Sequence, residues 1–303
     1  MMSKNKATLI GLMAVLLWSS LVGTIRIVSE NWGAIGGTAM IYSLASILLL
    51  FTVGLNKMHK YLLPYLIAGG ILFVSYELCF SLSIAFANNG QQAIEVSMLN
   101  YLWPTLTILF TILFNQQKAN FLIIPGAVLP VIGIGWVLGG EQGFNVLSML
   151  NNIKDNPLSY FLALIGACIW ATYCLITVRF AKGKNAVTLF FLITAIILWA
   201  KYLMTDESTL TWSYQAVIYL FLASAAIGFG YAAWNIGVLH GNVTLLAGAS
   251  YFIPILSASL SALLLNTPLS LSFWQGTALV TLGAILCWLA IRGIKNTRKF
   301  SDH

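Results

Sequence analysis

Two carboxylates stand inside stretches that otherwise read as hydrocarbon: Glu77 in FVSYELCF and Glu95 in QQAIEVSMLNYLWPTLTILFTILF. A charge at the centre of a bilayer costs roughly 2.5–3.5 kcal/mol, so such a residue faces a bundle interior or water and is a functional candidate. Each has two readings. It binds a substrate ammonium or carries a proton, or it is a carboxyl held by neighbouring serine or asparagine for structure alone. Glu95 lies near the start of its run, where it can reach the outer interface, and Glu77 is deeper. Pro104 removes the helix hydrogen bond to residue 100, so a kink is expected and the carbonyl of Asn100 is freed; Pro254 does the same to Ser250. The two prolines are candidate hinges, against the plain reading that prolines shape packing in membrane helices. Aromatic residues make up 13% of the chain, and Tyr76, Tyr101, Trp103, Trp170, Tyr173, Tyr231 and Trp234 fall in the bodies of apolar runs instead of at interfaces. Such rings stack on a flat apolar substrate, offer OH or NH to its polar end, and attract an ammonium; the alternative is ordinary core. With Trp18, Asn100, Asn235 and Tyr251, all of these except Tyr173 form the candidate substrate-binding set.

The elements that must hold these residues follow from composition. Hydrophobic residues are 59% of the chain, charged residues 8%, and mean hydropathy is +0.89, whereas soluble domains are about half apolar and a quarter charged. This is an integral membrane protein. Ten apolar runs, 7–27, 34–55, 62–86, 91–114, 120–140, 158–180, 186–204, 213–239, 243–265 and 271–292, are long enough to cross a hydrocarbon core of roughly 30 Å as helices. They are continuous instead of alternating, which excludes barrel strands. Lys4 and Lys6 precede the first run as in a signal peptide, but the run is long, holds Trp18 and lacks a small-residue cleavage site, so a retained helix is expected.

A net charge of +7 suggests nucleic acid until the charges are placed. Lys4, Lys6, Lys57, Lys60, Lys118, Arg179, Lys182, Lys184, Arg292, Lys295, Arg298 and Lys299 collect on one side, and Arg26, Lys154 and Lys201 on the other. This positive-inside split puts both termini in the cytoplasm. Cys79, Cys168, Cys174 and Cys287 lie in apolar runs with no CxxC pattern and read as small buried hydrophobes. No cofactor or metal, no nucleic acid and no obligate protein partner is implied; the expected partners are a small-molecule substrate and the lipid bilayer.

The chain also repeats itself. NYLWPTLTILFTILF overlays SYFIPILSASLSALL at a shift of 150, pairing Tyr101 with Tyr251 and Pro104 with Pro254, and the next run keeps the register, Gly126 with Gly276 and Gly133 with Gly283. Five helices per half is odd, so the second half enters the membrane from the opposite face, an inverted repeat typical of secondary transporters. The expected organisation is a five-helix repeat over 7–140, an extracytoplasmic linker over 141–157 (a short amphipathic helix or an ordinary connection), and a second repeat over 158–292. No HExxH, no GxSxG and no aspartate within an apolar run is present, so an enzyme is not expected. There is no P-loop for ATP, GFGYAAWNIGVLHGN lacks the strand a dinucleotide site needs, and the repeat favours a carrier over a channel.

KATLIGLMAVLLWSSLVGTIRIVSE, LFVSYELC, QQAIEVSMLNYLWPTLTILFTILFN, GFGYAAWNIGVLHGNVT, SYFIPILS and PLSLSFWQG resemble the bacterial aromatic amino acid exporters of the drug/metabolite transporter superfamily, whose repeats are called EamA domains. The likeness runs over nearly the whole chain. It implies a ten-helix inner-membrane exporter of phenylalanine, tyrosine, tryptophan and some other neutral amino acids. The cavity would lie between the repeats, lined from runs one, three, four, six, eight and nine. The alternative is a multidrug or metabolite exporter of aromatic cations, for which stacking rings and a buried carboxylate are equally suited.

Overall fold

The computed structural model describes residues 3–55, 61–182, 184, 186–206 and 213–292, and all regular structure among them is helical. In chain order the α-helices are α1 (Lys4–Ser19), α2 (Leu21–Trp32), α3 (Ala34–Thr52), α4 (Gly70–Ala85), α5 (Gly90–Asn100), α6 (Trp103–Asn115) and α7 (Ile123–Leu138). They continue as α8 (Val146–Asp155), α9 (Pro157–Phe180), α10 (Val187–Leu203), α11 (Tyr214–His240), α12 (Val243–Ser250), α13 (Ile253–Leu264) and α14 (Leu271–Ile291). A π-helical turn, Tyr65–Gly69, leads into α4. Each expected run is therefore mostly helical, but length and hydropathy single out six helices able to cross a membrane, or seven if α1 and α2 are one bent span. The apolar helices α7, α10 and α13 are shorter.

Three runs are broken, each for a local reason. In the first, the Ser19 and Ser20 hydroxyls donate back to the carbonyls of Val15 (2.6 Å) and Leu17 (2.7 Å), and Thr24 to Ser20 (2.9 Å). Such back-bonding competes with the helix ladder and bends it, here by 41° between α1 and α2. The helix then continues to Trp32, beyond the expected end at 27, and includes Arg26 and Glu30. In the fourth run the expected kink is a local break within a span that runs from Gly90 to Asn115. α5 stops at Asn100, the chain turns through Tyr101 and Leu102, and α6 restarts at Trp103 with Pro104 as its second residue, where a missing N–H leaves no bond unmade. The ninth run does the same at Tyr251 and Phe252, with Pro254 second in α13.

Helices from the two sequence halves pack in pairs. α1 lies against α11, α4 against α9, α3 against α10, and α7 against α14; α6 touches α9 while α13 touches α1. The α7–α14 seam is the tightest. A Cβ on Gly133 would sit 2.6 Å from the Gly276 carbonyl oxygen, and one on Gly276 the same distance from that of Gly133. Large apolar residues face outward, Phe51 86% exposed and Phe121 76% exposed, which suits a lipid environment.

The 141–157 segment contains a helix, α8, capped by the Asn145 side chain at the Ser148 N–H (3.0 Å) and tied to the end of α7 by Asn152 donating to the Leu138 carbonyl (2.8 Å). A polar cluster joins it to the α4–α5 turn. Asp155 Oδ2 accepts from Asn88 (2.7 Å) and Gln92 (3.2 Å), and Asn156 donates to the Phe86 carbonyl (2.9 Å) and to Gln92 (2.9 Å). From the other side the Arg26 guanidinium donates to the carbonyls of Ala85 (3.3 Å), Ala87 and Asn88 (3.4 Å), and its Nε to Glu30 (2.7 Å). Lys57, Lys60, Lys295, Arg298 and Lys299 of the charge split lie outside the described residues.

Candidate functional site

All three breaks meet at one cavity. It is lined by Trp18 and Leu21 on either side of the first break, Asn100, Tyr101 and Trp103 at the second, and Ile253 at the third, together with Tyr76, Glu77 and Phe80 of α4, Trp170 of α9, and Ile227 and Tyr231 of α11. Its empty volume is about 520 Å³, a figure that includes the part open to solvent. Interrupted backbone at membrane depth is tolerated where it lines such a space, because the freed carbonyls find partners there instead of lipid. Pro104 has no N–H to give the Asn100 carbonyl, and Asn100 lines the cavity at this break with its amide Nδ2 buried without a protein partner.

Rings build most of the wall. Tyr76 and Trp170 lie 4.4 Å apart at 38°, and Trp103 stands edge-on to Trp170 at 6.3 Å. Across the cavity Trp18 meets Tyr231 edge to face at 5.2 Å and Trp234 at 5.3 Å. Behind them the fully buried Phe73 contacts Trp170, Tyr173, Phe190, Phe191 and Tyr231 at 5.4–6.1 Å. The wall is thus backed by packed aromatic core, which fixes its rotamers and lowers the entropy lost when a flat ligand settles against it. Edge-to-face and tilted contacts are the geometry ring quadrupoles favour.

Glu77 is 1% exposed and engaged at both oxygens: Tyr231 donates to Oε1 at 2.6 Å and Tyr42 to Oε2 at 2.6 Å, with Ser81 Oγ 2.5 Å from the Tyr42 oxygen. The carboxyl is therefore held by phenols from α3 and α11, where sequence pointed to serine or asparagine as the structural partner. Glu95 lies away from the cavity, accepting from Gln91 at 2.9 Å and from Tyr160 at 3.3 Å.

Of the residues singled out by sequence, Trp18, Tyr76, Glu77, Asn100, Tyr101, Trp103, Trp170 and Tyr231 come together here. Trp234 touches the group through Trp18. Asn235 lines a second, outward groove with Thr52, Phe229 and His240, because α1 closes against α11 between the two, Trp18 on Gly230 and Gly11 on Gly237. Tyr251 is buried in the third break with its ring 6.2 Å from Trp288, and Pro104 and Pro254 stand behind the lining. Tyr42, Phe73 and Phe80 were not picked out by sequence; Tyr42 and Phe73 sit in apolar runs with no periodicity to tell an inward face. Among the described residues no three His, Cys, Asp or Glu approach closely enough to hold a metal.

Residues 157–289 match the model of the EamA-like transporter family. The chain is 55% identical over 291 residues to the aromatic amino acid exporter YddG of Salmonella typhimurium, covering 96% of this chain and 99% of that one. It is 54% identical over the same shares to the exporter YddG of Escherichia coli K12, and 26% identical over 268 residues, 86% of this chain and 88% of the relative, to that of Ancylobacter novellus. A crystal structure at 23% identity superposes over 96% of this chain and 99% of the other with a TM-score of 0.65, a likeness of fold.

Proposed function

This chain belongs to the EamA-like transporter family, and we propose on that footing that it exports phenylalanine, tyrosine and tryptophan, with some other neutral amino acids, from the cytoplasm by alternating access. The observation that carries the reading is the cavity where three helix breaks meet, walled by Trp18, Tyr76, Trp103, Trp170 and Tyr231. A flat side chain stacks on these rings, each contact contributing about 0.5–1.5 kcal/mol beyond its buried area. The carbonyl and amide of Asn100 offer the amino acid's charged groups an acceptor and a donor. The relatives are named as aromatic amino acid exporters, which favours amino acids over organic cations.

The finer architecture belongs to the same proposal. Ten spans form two inverted repeats, 7–140 and 158–292, joined by an extracytoplasmic linker that includes α8, with both termini cytoplasmic and the protein in the bacterial inner membrane. The pairing of helices supports this. Exchanging the first five spans with the last five turns the α1–α11 contact into α9–α4 and the α6–α9 contact into α13–α1, and leaves α3–α10 and α7–α14 unchanged, as a two-fold relation requires. Pro104 and Pro254 act as the paired hinges, and Glu95 guards the outer entrance.

The test is uptake of labelled phenylalanine into liposomes containing only this protein, with and without a proton gradient. Saturable uptake competed by tryptophan but not by organic cations is expected. Failure of aromatic amino acids to compete overturns the substrate assignment, and competition by cations instead revives the multidrug alternative.

A further inference from the structure

Glu77 is the acidic group nearest the proposed substrate, and an acid in such a place is ordinarily read as an ammonium ligand or proton carrier. Its surroundings point elsewhere. Both oxygens already accept short bonds, from Tyr231 on one side and Tyr42 on the other, at 2.6 Å each. Tyr42 is fully buried in α3 and takes no part in the lining, and its hydroxyl is braced in turn by Ser81. With one bond already made at each oxygen and only 1% of the residue exposed, little of the carboxyl is open to a ligand ammonium.

What the carboxyl does hold is a ring. Tyr231 belongs to the cavity wall, with Trp18 at 5.2 Å, Phe73 at 5.5 Å, Phe191 at 5.4 Å and Trp170 at 6.3 Å around it. Those contacts set the plane of the ring, and the bond to Glu77 sets its position along the cavity. Tyr42 leans on Phe191 as well, at 5.4 Å, so phenols from α3 and α11 converge on one carboxyl of α4. We propose that Glu77 is a positioning residue that, anchored by Tyr42, fixes the Tyr231 ring in the wall and thereby sets the preference for flat side chains over branched aliphatic ones. The inference rests on the export reading and names the device behind its specificity.

The experiment compares KM and maximal rate for phenylalanine and for leucine in proteoliposomes, over a range of pH, for the wild type and for Tyr42→Phe, Glu77→Gln and Glu77→Ala. Tyr42→Phe removes one anchor that lies outside the cavity lining. It is expected to raise KM for phenylalanine about fivefold to tenfold, near the weight of one ordinary hydrogen bond, with KM for leucine and both maximal rates changed less than twofold. Glu77→Gln keeps an acceptor for one phenol and a donor for the other, so it loses less of the phenylalanine preference than Glu77→Ala, and its pH profile matches the wild type. A Tyr42→Phe protein with unchanged phenylalanine KM overturns the proposal. So does a Glu77→Gln protein that stops exporting or whose pH profile shifts, because either makes Glu77 a direct ligand or proton carrier. If Glu77→Ala does not fold, the two conservative variants still decide. Wild-type protein that moves neither amino acid refutes export itself, a result distinct from these.

Discussion

Arg26 is a cation held at 8% exposure where α2 meets the end of α4, and replacing it by methionine keeps most of its stem volume while removing every donor. The Ala87 carbonyl loses its close partner, which as a charge-assisted bond contributes about 1.5–3 kcal/mol. The longer bonds to Ala85 and Asn88, at 3.3 and 3.4 Å, add only a fraction of that. A further 0.3–1 kcal/mol or so is lost because a cation no longer faces the negative end of α4. Glu30 is 46% exposed on its side chain and returns to water at little cost. The sum is about 3 kcal/mol, which at roughly 2–4 °C per kcal/mol lowers the melting temperature by about 6–12 °C. Thermal unfolding of the purified protein in detergent, followed by tryptophan fluorescence, measures the shift, and limited proteolysis of the turn over 86–90 reports where it acts. Arg26→Lys restores only part, since one ammonium cannot fork across three carbonyls. A methionine variant melting within 2 °C of wild type would refute the reasoning.

Pro104→Ala supplies the N–H that lets α5 and α6 join through Asn100. It is expected to leave folding largely intact and to slow phenylalanine transport severalfold, read as a lower maximal rate in proteoliposomes; an unchanged rate counts against the hinge. Asp155→Ala removes the acceptor shared by Asn88 and Gln92. The site is partly exposed, so stability should fall by no more than about 1 kcal/mol, and protease cleavage within α8 should quicken; equal cleavage rates would show that the cluster does not hold α8 down.

The all-helical, apolar character of the chain and the breaks at Pro104 and Pro254 were legible because a continuous apolar run and a missing N–H are properties of the chain itself. The Ser19–Ser20 bend was less so, since a serine pair competes for carbonyls only once its rotamers are known. Within a bundle helix apolar on every side, periodicity gives no inward face. That is why Tyr42 went unnoticed as a partner of Glu77, 35 residues away in sequence. Asn235 was grouped with Tyr231, one turn earlier on α11, although the approach of Gly11 to Gly237 divides that helix face between two spaces. Rings such as Trp170 were found by a different signal, large aromatic residues away from the interfaces.

The glycine seam of α7 and α14 bears on how such a molecule can move. Neither helix lines the cavity, and their backbones touch where Gly133 and Gly276 meet, with no side chain between to yield. Sliding one helix along the other would drive the bulkier neighbours of each glycine into the facing carbonyls, so the seam withstands shear while leaving rotation about its own length comparatively free. If the two halves exchange sides as proposed, this pair is the fulcrum, and travel falls on the helices that make no appreciable contact with it, α1 to α4 and α9 to α12.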